Sequence, residues 1–346
     1  MASDPVFPQA AVGKGMYESF YLRAVAPDRP IGAWIRYTVH KRPGQTPKGS
    51  LWCTVFDAER GAPFMHKYTT DELSAPADGW IAIGSDPAAI ATGGSGASGD
   101  GGRLSPSAAE GVCGPASWSL RISGEDSELR HLKQPWLYRA PLPRTKLTSP
   151  APAASFDGTI ELPDRTLDLR GWRGMVGHNW GAEHAERWIW LHGIDFAEDR
   201  AAWLDVALGR VLVAGRMTPW LASGAISLHG RRLRLGGLAA RGTRVAESPT
   251  RCSLSIPGED GLLVQAYIDD PPGAAAGWRY ADPGAHGPQG RVGEHDVVNC
   301  SVAALSLNVR PRGLAATTLH TAHGAAYELG MRERDHDVPL APFGDG

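Results

Sequence analysis

Nowhere in the 346 residues do about eighteen apolar side chains run together, the length a helix needs to cross a bilayer, so no helical membrane span is expected. Residues 1–15, MASDPVFPQAAVGKG, lack a cationic start followed by an apolar stretch and do not read as a secretory signal. The four cysteines, Cys53, Cys113, Cys252 and Cys300, stand far apart and form no CxxC pair. That removes a zinc ribbon and leaves reduced thiols acting as small hydrophobes, with a reducing cytoplasm as the expected compartment. An excess of either charge is missing too: 35 basic and 37 acidic residues leave a formal charge of -2. With no basic stripe, nucleic acid is not an expected partner. Long amphipathic helical windows are also hard to find.

What is abundant is glycine, at 43, and proline, at 27, punctuating short runs of apolar and β-branched residues. That texture belongs to many short strands joined by turns, so the expected class is all-β. Strand-like runs occupy 17–24, 31–40, 50–57, 62–70, 79–83, 116–123, 156–162 and 166–173 in the first half. In the second they occupy 201–213, 225–229, 231–235, 251–256, 262–268, 297–309 and 325–332. Between 31 and 40 both faces carry large side chains, Trp34 and Arg36 on one and Ile35 and Tyr37 on the other. Such a strand suits a place where one face lines a barrel and the other meets a neighbouring layer. Residues 91–102, ATGGSGASGDGG, read as a flexible surface loop, and 269–291 as a Gly/Pro-rich one. The five prolines of 134–153 suggest a long irregular connection, in which Trp136 and Tyr138 could close over something apolar. The expected layout is a leader over 1–15, one barrel domain over 16–184, a second over 185–334 and a polar tail over 335–346.

The stretch 174–196, GMVGHNWGAEHAERWIWLHGIDF, concentrates the side chains from which sites are made. His178 and Trp180 fall on one face of a strand by the period of two, and Trp188, Trp190 and His192 share a face of the next. Residues 181–187 read as a turn, so the two strands are expected side by side, presenting indole and imidazole together. Such a surface is either aromatic core or the wall of a pocket.

Three features, GMYESFYLRA…RPIGAWIRYTVH, the FDGTIEL hairpin, and GHNWG followed by RWIWLHG, resemble a lipocalin-like superfamily. Its members include carotenoid 1,2-hydratase (hydroxyneurosporene synthase), plant tocopherol cyclase and fungal decalin-forming Diels–Alderases. The similarity spans roughly residues 17–331. It implies two lipocalin-like (calycin-type) antiparallel β-barrels packed together, a hydrophobic pocket near their junction, and long apolar, often isoprenoid, ligands. In the hydratases His-x-Trp-Gly is followed by aromatic-x-Asp, the Asp being the proposed acid. His178-Asn179-Trp180-Gly181 matches the first part and Trp203-Leu204-Asp205 the second, with Trp203 where the hydratases are expected to carry tyrosine.

Those residues suit one chemistry. Protonating an isolated alkene needs an un-ionised acid and walls that tolerate a carbocation. A carboxyl desolvated in a barrel keeps its proton, and an indole face stabilises a desolvated cation by about 2 kcal/mol. Asp205 is then the candidate acid, His178 its orienting or relaying partner, and Trp180 and Trp203 the adjoining aromatics. Trp188, Trp190, His192, Asn179, Trp34 and Arg36 are the candidate substrate contacts. Water would give an alcohol from the cation and an internal group a ring, so hydration and cyclisation stand level. No cofactor and no metal are expected, because His192 and Asp195 point to opposite faces and form no cluster with His184. A hydrophobic small molecule, isoprenoid or polyene, is the expected partner, with peripheral membrane contact as a way to collect it. Two other readings stand beside this one: a carrier that only binds, and a pericyclase that shapes a polyene without a titrating proton. His178 and Trp180 also fit a structural corner, Trp188 and Trp190 fit barrel core, and His320 and His323 fit a solvated loop. Glu18 and Arg36, on facing strands, are expected to pair at the surface.

Overall fold

The computed structural model describes residues 4–85, 99–237, 241–286, 292–313 and 315–344. Alternating side chains interrupted by Gly, Pro and Asp give strands almost throughout. The helical pieces among the described residues are short 3-10 turns at Phe7–Gln9, Pro135–Tyr138 and Glu259–Gly261. None is long and apolar enough to cross a membrane. His229 and Gly230, with φ of 49° and 73°, make the two-residue turn between Leu221–Leu228 and Arg231–Gly236.

Two large sheets take up the chain. Strands from Met16–Val25 to Trp172–Gly181 form one of 13 strands, and those from Arg187–Gly193 to Leu340–Gly344 form one of 11, apart from the small separate pair Leu212–Val213 and Arg216–Met217. Each curls into a barrel. Across the first, Tyr37 Oη donates to the Glu110 carbonyl; in the second, a bridge between Leu235 and Gly258 draws the outer strands together. Met16–Val25 and Ile31–Lys41 are buried at every position. One face, with Phe20, Leu22, Ile35 and Tyr37, fills the first barrel. The other, with Tyr21, Val25 and Trp34, packs in one cluster with Trp190, Trp203 and Trp278 of the second sheet. Large side chains on both faces therefore have the cause anticipated for them, a barrel interior behind and a second layer in front.

Several expectations are corrected. His178 and Trp180 do not lie beside Trp188, Trp190 and His192. Trp172–Gly181 has both edges taken, by Met16–Val25 and Thr145–Leu162, and Arg187–Gly193 has both taken by Trp203–Arg210 and Thr317–Met331. Residues 182–186 thus carry the chain from one sheet to the other instead of closing a hairpin. Much of the expected irregular connection over 134–153 belongs to the strand Thr145–Leu162, which accommodates Pro150 and Pro152 where its register slips between Thr148 and Ala154. Trp136 on that segment is exposed. The supposed loop over 269–291 contains the strand Ala276–His286, whose WRYAD run puts Trp278, Tyr280 and Asp282 on one face. Leu340–Gly344, in the expected tail, pairs parallel with that strand. Most of the expected loop over 91–102 lies outside the described residues, while Gly101 and Gly102 open a strand. All four cysteines are free and buried.

Close packing at the junction uses two glycines. A Cβ on Gly330 would stand 2.1 Å from the Trp188 ring, and one on Gly177 2.1 Å from the Tyr21 ring. Gly330→Ala and Gly177→Ala should each lower unfolding free energy by about 1–3 kcal/mol through overpacking. Chemical denaturation measures this, and unchanged midpoints would show that the rings do not rest on those positions.

Candidate active site at the barrel junction

Asp205 is placed by strand pairing. Trp203–Arg210 runs antiparallel to Arg187–Gly193 with Asp205 directly opposite His192, so Trp190, His192, Trp203 and Asp205 share the face turned to the first barrel. Asp205 is fully buried. Its Oδ1 accepts from Trp190 Nε1 at 3.1 Å. Its Oδ2 accepts from Ser149 Oγ and lies 3.2 Å from His131 Nε2. His131 Nδ1 faces the Ser223 carbonyl at 3.1 Å and therefore carries a proton. Its Nε2 faces the Asp205 carboxylate oxygen and, at 3.3 Å, the Ser149 hydroxyl.

Burial pushes the Asp205 carboxyl up, but the His131 charge and hydrogen bond, then His192 and Ser149, together pull it below the ordinary carboxylate value. The expected un-ionised acid is thus corrected: a close buried imidazole partner holds the Asp205 carboxyl on the ionised side of its ordinary behaviour. His192 is different. Burial first, then the Arg23 charge, push its pKa down to about 4. Its Nδ1 accepts from Arg23 Nη1 at 3.1 Å and its Nε2–H donates to the Pro152 carbonyl at 3.0 Å. Arg23, also buried, is lowered to about 9 chiefly by desolvation, and its Nη2 donates to the Ser301 carbonyl. Tyr21 stands edge-on to Trp190 at 5.4 Å, and its phenol is raised well above the usual value by burial and then by Asp205 and Glu328.

The expected site residues divide. Trp188, Trp190, His192, Trp203 and Asp205 meet at the junction with Trp34 and Arg36 from the first sheet. Arg36 lies 4.8 Å from the Trp34 ring, 5.1 Å from Trp52 and 4.8 Å from Tyr280, and donates to the Tyr280 hydroxyl. The expected Glu18–Arg36 surface pair does not form, since the two side chains point to opposite sides of the first sheet. His178 is not a partner of Asp205. Its Nε2 lies 2.7 Å from Glu18 Oε1, its ring is stacked between Phe20 and Trp180, and it faces the first barrel's interior. Glu18 also accepts from the backbone N–H of Val6 and Phe7, which ties the leader down. Trp180 shares that inward face, while Asn179, by alternation, shares the junction face with Met175. His131, Ser149, Tyr21 and Arg23 were missed. His131 sits in LRHLKQPW with no periodic context; Tyr21 and Arg23 alternate with Phe20 and Leu22, a sign that a second face also mattered.

No family model matches the chain. The uncharacterized protein Rv0493c of Mycobacterium tuberculosis (strain ATCC 25618 / H37Rv) is 25% identical to it over 237 residues, 67% of this chain and 70% of that one. Among solved structures, CghA, crystallised with Sch210972, aligns with a TM-score of 0.58 at 11% identity, covering 92% of this chain and 88% of that one. This is a lipocalin-like double barrel. Kievitone hydratase from Nectria haematococca aligns on the same double barrel with a TM-score of 0.51 at 10% identity, over 95% of this chain and 91% of that one. At such identities the likeness concerns the fold.

The buried groups give the double barrel a pH dependence. An unfolded chain protonates His192 near 6.5, whereas the folded one resists until about 4. Between those values the unfolded state binds more protons, so stability is full above 6.5 and falls as pH drops toward 4, by up to about 1.4 kcal/mol per pH unit. Asp205, lowered in the folded state, acts in the same direction at still lower pH. Urea unfolding between about pH 7 and 4 measures this slope, and His192→Asn should reduce it, leaving the share that the buried His295, lowered to about 3 chiefly by desolvation, contributes in the same direction. A flat wild-type profile would contradict the buried neutral imidazole.

Proposed function

We propose that the junction between the barrels receives a hydrophobic, isoprenoid-like molecule and that the His131–Asp205 pair passes a proton to its alkene, opening hydration or cyclisation. The observation that carries this is a fully buried carboxylate bonded to His131, Ser149 and the Trp190 indole inside an aromatic layer. In this reading His131 is the acid and Asp205 the counterion that orients it and keeps it charged. Indole faces such as Trp190 and Trp34 would stabilise the cation by about 2 kcal/mol where desolvated. Tyr21 supplies, from the facing sheet, the phenol that Trp203 does not, and holds its proton for positioning a water. Three buried donors on the junction side of the first sheet, Ser19 Oγ, Arg23 Nε and Trp34 Nε1, have no hydrogen-bond partner among the described residues, as expected where a guest or water completes them. A hydratase among the structural neighbours is in keeping with water addition. Kinship with the carotenoid hydratases and tocopherol cyclases belongs to the same proposal.

A binding-only reading has its own support. Both Asp205 oxygens already serve protein donors, and the described groove of about 500 Å³ lies elsewhere, along Arg244–Ala246 and Tyr267. CghA, crystallised with Sch210972, keeps a polyene-shaping reading in view as well.

Mass spectrometry of an organic extract of the purified protein should identify a hydrophobic guest, which then serves as substrate. With it, Asp205→Asn and His131→Gln should each cut turnover by roughly 100-fold or more while keeping the guest bound. Full turnover in folded Asp205→Asn would sink the acid assignment, whereas a guest that the wild-type protein binds and leaves unchanged would favour the carrier. Unchanged turnover across the pH range would point instead to shaping without proton transfer.

A further inference from the structure

At the opposite end of the same layer, beyond Trp188, three side chains of metal-ligating type converge from separate segments. His184 comes from the residues joining the sheets, Asp282 from Ala276–His286 and His295 from Val292–Arg310. Each offers one donor atom, and the three atoms lie within 4.8 Å of one another. Asp282 Oδ1 accepts from the His184 backbone N–H at 2.9 Å and from its Nδ1 at 2.8 Å. The rest of the cluster is unserved. Asp282 Oδ2 and both ring nitrogens of His295 are buried without a partner in hydrogen-bond geometry among the described residues, His295 making only a loose approach to the Ala185 main chain. His295 is fully buried, with Nδ1 3.9 Å from Asp282 Oδ2. Two bare imidazole nitrogens beside a bare carboxylate oxygen are costly in a dry interior unless something completes them.

We propose that His184, Asp282 and His295 bind a divalent transition-metal ion of the zinc type, leaving a further coordination position open. The donor set is two imidazoles and one carboxylate, with no thiolate. That combination suits zinc or a neighbouring first-row ion better than calcium or magnesium, which prefer all-oxygen shells. Three protein ligands rather than four mark the kind of site that holds water or a reactant. Bonds of about 2.1 Å set donor atoms about 3.4 Å apart around a tetrahedral ion, so the cluster closes by a modest side-chain movement. The surroundings hold the rings for that movement. Tyr17 stacks on His184 at 4.1 Å, and Trp188 lies 5.3 Å from His184 and 5.2 Å from His295. Gly293 leaves room, since a Cβ there would stand 2.5 Å from Asp282 Oδ2. Arg332, the cation nearest that oxygen in the ion-pair geometry at 3.9 Å, is engaged by both oxygens of Glu186. The site stands independently of the His131–Asp205 assignment.

The test uses the full chain, stripped with a chelator and dialysed. Titration with Co²⁺ should give visible d–d absorption saturating at one ion per chain, Zn²⁺ should displace it, and Zn²⁺ should raise the melting temperature. His184→Ala, partly exposed and not expected to unfold the chain, and His295→Ala should each weaken Co²⁺ binding at least 10-fold. Absence of both the absorption and the melting shift at millimolar metal would overturn the proposal. So would binding that is unchanged in His184→Ala, which would move the ion to other histidines such as His320 and His323. If His295→Ala does not fold, His184→Ala and the wild-type titration still decide.

Discussion

Two barrels that share a face must remove from water whatever that face carries, and this desolvation governs the rest of the molecule. The face carries charge as well as rings: Arg23, Arg36, His192 and Asp205 are all buried there. A buried polar group stabilises only when its partners are in place, and most of the partners come from across the junction. Arg23 meets His192 and the Ser301 carbonyl, Arg36 meets Tyr280, and Asp205 meets Ser149 and His131. The bonds that make the layer tolerable are therefore the bonds that hold the barrels in register. A slip of one residue in Met16–Val25 would send Tyr21 and Arg23 into the first barrel and Phe20 into the polar layer.

The same constraint gives two buried acid–imidazole pairs different work. Glu18 and His178 sit inside the first barrel, and the carboxylate is saturated by the leader's backbone N–H groups and by His178. That pair fastens a terminus. Asp205 and His131 sit between barrels, among indoles and a phenol that holds its proton. Here the pair lies in an aromatic setting and meets the facing sheet's side chains, not the leader. Chemistry of the residue type is shared; the setting separates an anchor from a candidate acid.

Much of the architecture can be read from particular residues. The alternation of Trp34 and Arg36 with Ile35 and Tyr37 announces a strand covered on both sides, and the His229-Gly230 pair announces its hairpin. Trp203-Leu204-Asp205 marks an acid in an apolar strand, which is where the buried carboxylate lies. Gly/Pro density misled where strands run through it: Pro150 and Pro152 sit at register slips, and WRYAD alternates inside a stretch otherwise rich in loop residues. His131 and Ser149 carry no local signal, because their importance rests on what faces them from the second sheet.

What the sequence determined by itself is each ribbon's two faces, since alternation is a property of the local backbone and travels with the residues. It marked out strands, turns, aromatic wealth and the acid at 205. Which ribbon lies against which was decided by tertiary structure alone. His178 and Trp188 are ten residues apart yet belong to different sheets, while His131 and Asp205, 74 apart, touch. Edge pairing is a competition among all strands at once. Trp172–Gly181 and Arg187–Gly193 each found two better neighbours than one another, and that outcome exchanged the partner of Asp205 from His178 to His131.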